Sequence, residues 1–555
     1  MAKDRSMTAE ESELKDTIER VLHSQSRKRL IVGGPGTGKT TLFRHMLELA
    51  SGKPGRRIVL TFVNTLKDDL EDDLADVAKV FTLHSYCLGL MHRDAAVRVP
   101  LSSDFRCCPG LASLIKEDWE HIKKCEAPQF VVEMRNLADE NHISFYLERG
   151  EYYDAVDFDD MVYRTLQSFI SGRAVLDEYD LVLIDEYQDF NRLEAGLIDV
   201  LGQRSPIVIA GDDDQALYSQ LRQTSWEHIR LLNQAGEYEV FKLPFCMRCP
   251  KVVVDAVNDV LTKAQELRKL EGRIEKPYKH FPPAKAADSA KYPKIDVIET
   301  SVQRLDANYM GRYIAKAIAD IPGDEIEAAA GGGYPAALVI AARPYRDQII
   351  RYLESAGYPI DTRREPGSKV NRELGLSVLK EDGGSNLGWR IMLSVDAPTL
   401  LSDLIAQTID GARRLIDLLP GDFRSSVLAD VEAYEPPAGE SEEERRTSAS
   451  VESLPVRVTS FEGAKGLSAQ HVFIAGLHDY ELPHNPRAIQ GLEICKFVVG
   501  LTRTRKRCSL IHTRSFAGTR RSPSSFISWI NGARLEHIKV DAAYWKKQVE
   551  DHSVE

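Results

Sequence analysis

RLIVGGPGTGKTTLFRHMLELA, Arg29 to Ala50, joins a β-branched apolar run to a helical pattern through a turn carrying four glycines. Gly33, Gly38, Lys39 and Thr40 satisfy the spacing G-x-x-x-x-G-K-[ST] in the strand–turn–helix context that this motif requires. Glycine lets consecutive backbone N–H groups turn inward around a phosphate, and the helix that follows points its positive end at the same place. Gly33, Gly34, Pro35, Gly36, Thr37, Gly38, Lys39, Thr40 and Thr41 are therefore the expected phosphate cradle. Lys39 supplies a point charge near the terminal phosphates, and Thr40 offers a hydroxyl to Mg²⁺.

Outward from this turn, further short β-branched runs are each followed by a turn or a helical pattern: RIVLTF (Arg57–Phe62), LVLIDE (Leu181–Glu186), IVIAGD (Ile207–Asp212), ALVIAA (Ala337–Ala342), HVFIAG (His471–Gly476) and RCSLIHT (Arg507–Thr513). Apolar runs alternating with helices predict α/β layers built on parallel sheets. The runs fall into two sets, before about residue 215 and after about residue 335, and so predict two α/β domains. At the end of one run, Asp185 and Glu186 stand where ligands bind in such sheets. Asp185 suits Mg²⁺ held through water, and Glu186 suits the orientation and deprotonation of an attacking water.

Composition removes other classes. The 555 residues carry a net charge of −12, which argues against a protein that coats nucleic acid by bulk charge but leaves room for a local basic groove. Leu66–Asp76 and Asp430–Glu444 together account for that whole excess, while Arg503–Arg521 holds seven Lys or Arg and no acid. No apolar run reaches eighteen residues, and the charged N-terminus does not read as a signal peptide. The expected location is the cytoplasm, which also suits eight sparse cysteines. Cys246 and Cys249 form a CxxC with no second pair nearby for zinc, so they read as structural thiols. Ile321–Pro335, Glu381–Gly388 and Glu432–Ser450 read as linkers or surface loops.

At DEYQDFN (Asp185–Asn191) the chain resembles the UvrD/Rep group of superfamily 1 DNA helicases, and further segments follow in that group's order. LTFVN (Leu60–Asn64) is similar to a segment that touches single-stranded DNA, FTLHSYC (Phe81–Cys87) to TFHS, and VDFDDMV (Val156–Val162) to DFDDL. AGDDDQALY (Ala210–Tyr218) is similar to GDxxQxIY, LPFCMRC (Leu243–Cys249) stands in the place of NYRS, SFEGAKGLSAQHVFIAG (Ser460–Gly476) resembles the AKGLE motif, and VVGLTRTRKR (Val498–Arg507) resembles VAxTRAxx. Motifs run from about residue 30 to 507.

The resemblance implies two RecA-like domains closing on ATP and Mg²⁺, with small, mainly helical insertions. It places the first domain at 1–90 and 155–240, a helical insertion at 91–154, the second domain at 241–370 and 455–530, a reduced insertion with an acidic linker at 371–454, and a tail at 531–555. It makes Arg248 and Arg503 arginine fingers, Gln215 and Gln188 reporters of the γ-phosphate, and Lys465 and Gly466 nucleotide contacts. Phe62 and Tyr218 become stacking platforms for DNA bases, with Asn64 and His84 as polar contacts. The implied activity is ATP-driven movement on single-stranded or tailed duplex DNA, 3′ to 5′, without a membrane partner.

Some positions depart from the group. Gln25 is too close to Lys39 for the usual adenine-reading glutamine, Ser468 replaces the Glu of AKGLE, Glu462 stands where a His is common, and Gln220 takes the place of a tryptophan. The short insertions keep a second reading open, an ATP-gated DNA-binding switch serving a partner such as a nuclease. An RNA helicase is disfavoured by the QD of DEYQDFN, and a P-loop kinase by the second arginine-bearing domain. No fused nuclease is expected after Arg507.

Overall fold

In the computed structural model, the described residues are 7–50, 53–62, 67, 70–71, 73–138, 140–218, 226–301, 309–361, 370–409, 411–435 and 456–551. Asn64, Leu66, Gln220 and most of the acidic linker lie outside them.

Two parallel sheets organise the chain. The first contains β1 (Lys28–Gly33), β2 (Arg57–Thr61), β3 (Lys79–Thr82), β4 (Leu181–Ile184), β5 (Ile207–Gly211) and β6 (Glu239–Leu243), in the order β3-β2-β4-β5-β1-β6. The second contains β7 (Ile295–Thr300), β8 (Ala337–Ala341), β9 (Ile360–Asp361), β10 (Val456–Thr459), β11 (Ala469–Ala475), β12 (Thr504–Thr513) and β13 (Leu535–Val540), in the order β9-β10-β8-β11-β12-β7-β13. This is the α/β architecture of two RecA-like domains.

The strands are near-continuous apolar runs because both faces are covered. Leu30, Val32, Leu60 and Ile184 join one core of the first sheet, while Ile31, Val59, Leu183 and Ala210 join the core on its other face. Leu338, Ile340 and Ile474 likewise face one core of the second sheet, and Val339, Ala341 and Phe473 the other. Residues of opposite parity point to opposite faces, and burying both selects β-branched and aliphatic side chains throughout.

Two expectations are corrected. Ile321–Pro335 is not a loop throughout: Gly323–Gly331 is a helix. Its Glu325 is buried and takes hydrogen bonds from Lys291 Nζ at 2.7 Å and Tyr292 OH at 2.8 Å, and pairs with His471 Nε2 at 2.7 Å. Reading the terminal glycines as a linker overlooked DEIEAAA, a run of good helix formers. Within the segment expected as a tail, β13 pairs in parallel with β7 at the sheet edge. In the basic cluster Arg503–Arg521, Lys506, Arg507, Arg514 and Arg521 meet Glu325, Asp296, Glu299 and Glu481.

The two insertions share one core. Leu111, Ile115, Met134 and Tyr146 of the first pack with Leu379, Trp389, Met392 and Ile405 of the second. Asp118, fully buried, accepts from Arg390 Nε at 2.7 Å through Oδ1. Through Oδ2 it accepts from Arg149 Nε at 2.8 Å and Tyr153 OH at 2.6 Å.

Candidate nucleotide and nucleic-acid site

β1 ends at Gly33, and the helix Lys39–Leu49 begins after a turn that only glycine tolerates cheaply, since Gly36 and Gly38 have φ of 72° and 84°. Lys39 Nζ donates to Gly33 O at 3.1 Å, and Thr37 Oγ1 donates to Gly34 O at 2.9 Å. Thr40 is half-buried and Thr41 exposed on the first turn of the helix. The parallel order of the first sheet brings the ends of β4 and β5 beside this turn. Asp185 and Glu186 follow β4, and Asp212 follows β5. Glu186 holds a left-handed backbone, φ 52°, which turns its carboxylate Oε1 to 3.9 Å from Lys39 Nζ.

Burial opposes charge on both carboxylates. At Asp185, burial and the adjacent Glu186 charge prevail and push the group up to about 7. At Glu186, burial is overcome by Lys39 and Lys465, with Gln188 donating, and the group is held down to about 2. Glu186 is therefore the charged acid of the pair. Asp185, buried beside Glu186 with Lys39 and Lys465 nearby, has the hard oxygen chemistry that Mg²⁺ takes, as does the Thr40 hydroxyl.

The second sheet closes the site. Gln188 Nε2 donates to Glu186 Oε2 at 2.5 Å, and Gln188 Oε1 accepts from Asp212 N–H at 2.9 Å. Asp212 Oδ2 accepts from Gln215 Nε2 at 2.8 Å, and Gln215 Oε1 accepts from Arg503 Nη2 at 3.1 Å. Lys465 Nζ donates to Gln215 O at 2.7 Å, pairs with Asp189, and lies 3.8 Å from Glu186. An unbroken polar chain thus runs from Glu186 on the first sheet to Arg503 on the second. Burial and the neighbouring Arg248 charge lower Arg503 to about 10, the mark of cations gathered with few counter-charges. Arg248 is half-buried, and a Cβ on Gly36 would lie 2.5 Å from its Cβ. Gly466 has φ 82° directly after Lys465.

Residues 18–220 match the AAA domain family. The chain is similar to the ATP-dependent DNA helicase PcrA of Staphylococcus aureus (strain Mu50 / ATCC 700699), at 25% identity over 308 residues, 48% of this chain and 41% of that protein. It is also similar to PcrA of Staphylococcus epidermidis (strain ATCC 12228 / FDA PCI 1200), at 23% identity over 354 residues, 56% of this chain and 46% of that protein. It spans less than half the length of the curated relatives it matches.

The residues expected at the DNA face are less open than a stacking platform needs. Phe62 is buried against Phe190 and Tyr218, with ring centroids 5.9 and 5.5 Å away. Tyr218 OH donates to Glu462 O at 3.2 Å, linking the two sheets' ends. His84 lies 3.6 Å from Glu194 and edge-on to Phe158. Asn64 lies outside the described residues.

The sequence reading assigned no role to Asp189, Asp212 or Lys276. The signal lay in GDDDQ itself, since three adjacent buried acids require cations. Lys276 Nζ reaches Asp212, Asp213 and Asp214 at 2.8, 2.7 and 2.8 Å, while Arg230 pairs with Asp213 and Arg273 with Asp214. The three carboxylates are close enough to share a metal ion, but one ammonium and two guanidiniums already balance them. No described helix is long and apolar enough to cross a membrane.

Proposed function

We infer that this protein is an ATP-dependent translocase or helicase that moves on single-stranded DNA in the 3′ to 5′ direction and engages tailed duplexes, working in the cytoplasm. The observation that carries this reading is the continuous chain Glu186–Gln188–Asp212–Gln215–Arg503, which joins the hydrolytic acid to an arginine on the opposite domain.

Lys39 and the glycine turn bind the phosphates of ATP, Arg248 and Arg503 meet the γ-phosphoryl group, and Glu186 orients the attacking water and accepts its proton. Thr40 and Asp185 would hold Mg²⁺, which supplies electrostatic stabilisation to the phosphate oxygens when bound. A change at the γ-phosphate alters the hydrogen bonds of Gln188 and Gln215, and Gln215 passes that change to Lys465 and to Tyr218, three residues along the chain. Closure of the two domains is then the step that advances DNA.

Phosphate release measured with and without single-stranded DNA tests the reading, and strand displacement on a 3′-tailed duplex tests unwinding. Stimulation of hydrolysis by DNA is the expected result, and its absence would refute the assignment. The second reading, an ATP-gated switch serving a partner nuclease, is supported by the short insertions locked into one core. It predicts DNA-stimulated hydrolysis with no strand release.

A further inference from the structure

Cys246 and Cys249 flank Met247 and Arg248 on the segment that covers the phosphate turn. Met247 N–H donates to Gly36 O at 2.8 Å, and Tyr278 OH donates to Pro35 O at 3.1 Å. Both cysteines are free and fully buried. Cys249 N–H donates to Cys246 Sγ at 3.4 Å, and Cys249 Sγ donates to Thr502 O at 3.5 Å, directly before Arg503. Cys246 Sγ faces the phosphate turn, where a Cβ on Gly36 would lie 3.2 Å from it. Burial alone would raise the Cys246 thiol. The neighbouring Cys249 thiol and Tyr278 hydroxyl, whose protons are shared with Thr502 O and Pro35 O, and the backbone N–H groups of Cys249 and Arg248 oppose this and lower it. The pair thus combines a stabilised thiolate with an adjacent thiol that retains its proton, as a dithiol oxidant sensor requires.

We propose that Cys246 and Cys249 are a reversible oxidation site, at which a peroxide forms a disulfide that restrains both arginine fingers. The Cys246 thiolate attacks one peroxide oxygen, the O–O bond breaks, and hydroxide leaves as water after protonation, giving a sulfenic acid. Cys249 sulfur then attacks Cys246 sulfur, the S–O bond breaks, and a second water leaves. Two electrons pass from the two thiols to one hydrogen peroxide, and a dithiol reductant reverses the bond by exchange.

The effect on hydrolysis follows from position and rests on the function proposed above. A bond between the sulfurs draws Cys249 from Thr502 O, next to Arg503, and closes a small ring containing Arg248. Cys246 Sγ lies against Gly36 of the phosphate turn, so nucleotide bound on that turn is expected to shield it.

The test treats the full, reduced chain with hydrogen peroxide, with and without ATP, and maps disulfides by mass after trypsin, which cuts after Arg248 and so separates the cysteines unless they are bonded. The expected result is a Cys246–Cys249 bond, at least ~10-fold slower phosphate release, recovery with dithiothreitol, and slower oxidation in the presence of ATP. Cys249→Ala should keep its reduced-state rate and lose this response, which separates the pair from exposed Cys107 and Cys125. Thiols that stay reduced, a disulfide with an unchanged rate, or equal inactivation of Cys249→Ala would each overturn the proposal. A reduced chain without any ATPase would instead refute the function, while the disulfide map would still decide the chemistry.

Discussion

Replacing Asp118 by Asn removes a carboxylate shared by two buried guanidiniums, Arg149 and Arg390, whose side chains are 4% and 0% exposed. Arg390 keeps a 3.0 Å contact to Glu117, which is half in solvent, and Arg149 keeps Thr408 O at 3.1 Å and Tyr153. These remaining contacts hold the hydrogen-bond geometry but leave the two positive charges poorly matched. Breaking a buried pair by removing one partner costs about 3–5 kcal/mol. With two cations affected and one still near an acid, about 4 kcal/mol is expected, close to a thousandfold in the opening equilibrium of this unit. Because the insertions have their own core, the loss should appear as faster amide exchange in Leu111–Lys123, Asn386–Asp396 and Leu401–Ala406, with protection in β1, β4 and β5 preserved. Native-state hydrogen exchange read by mass spectrometry measures it. A companion variant, Asp118→Leu with Arg149→Met and Arg390→Met, should recover most of the loss, since apolar residues of similar volume replace such networks well. A cost under about 1 kcal/mol for Asp118→Asn, or a uniform loss over both sheets, would refute the idea that this network holds the insertions together.

Other outcomes follow from the nucleotide site and from one buried histidine. Lys39→Ala should abolish phosphate release; a normal rate would remove the P-loop from the mechanism. Arg503→Ala should leave nucleotide binding largely intact and slow turnover by about 10³-fold, which single-turnover kinetics and a fluorescent-nucleotide titration distinguish from a binding defect. His478 is fully buried, and burial lowers it to about 4 although Thr513 O, 3.0 Å from its Nε2, favours the protonated ring. The unfolded chain therefore takes this proton first as pH falls below about 6.5. The contribution is complete above that pH and is lost progressively down to about 4, by about 3 kcal/mol in all. Urea titrations between these pH values should show the slope, and His478→Gln should flatten it.

The legible part of the chain was the part whose physics is local. Strands buried on both faces announce themselves as β-branched runs, and a glycine turn followed by Lys-Thr needs no distant partner to be read. β3 and β13 were missed because short or edge strands such as LEHIKV alternate polar and apolar residues and do not stand out from loops. The helix at Gly323–Gly331 was missed because glycines mark its end while its stability comes from Glu325 meeting His471, which is 146 residues away. The GDDDQ acids were read as one motif, yet their counter-charges, Lys276 and Arg273, come from a segment with no motif of its own. Long-range charge pairing leaves no periodic trace in a sequence.

The same reasoning explains why two insertions expected as separate became one body. Each is too small to bury a core by itself, and apolar faces left open would cost more than joining them. The buried ion pairs then show where the joined unit is anchored. Arg135 grips Asp159 at 2.8 Å, and Arg164 bonds Asp160 at 2.7 Å and Leu147 O at 2.8 Å, tying the first insertion to the helix Phe158–Ile170 of the first domain. Arg390 and Asp118 tie the second insertion to the first. The second insertion, although encoded between strands of the second sheet, is therefore fastened to the first domain by buried charge.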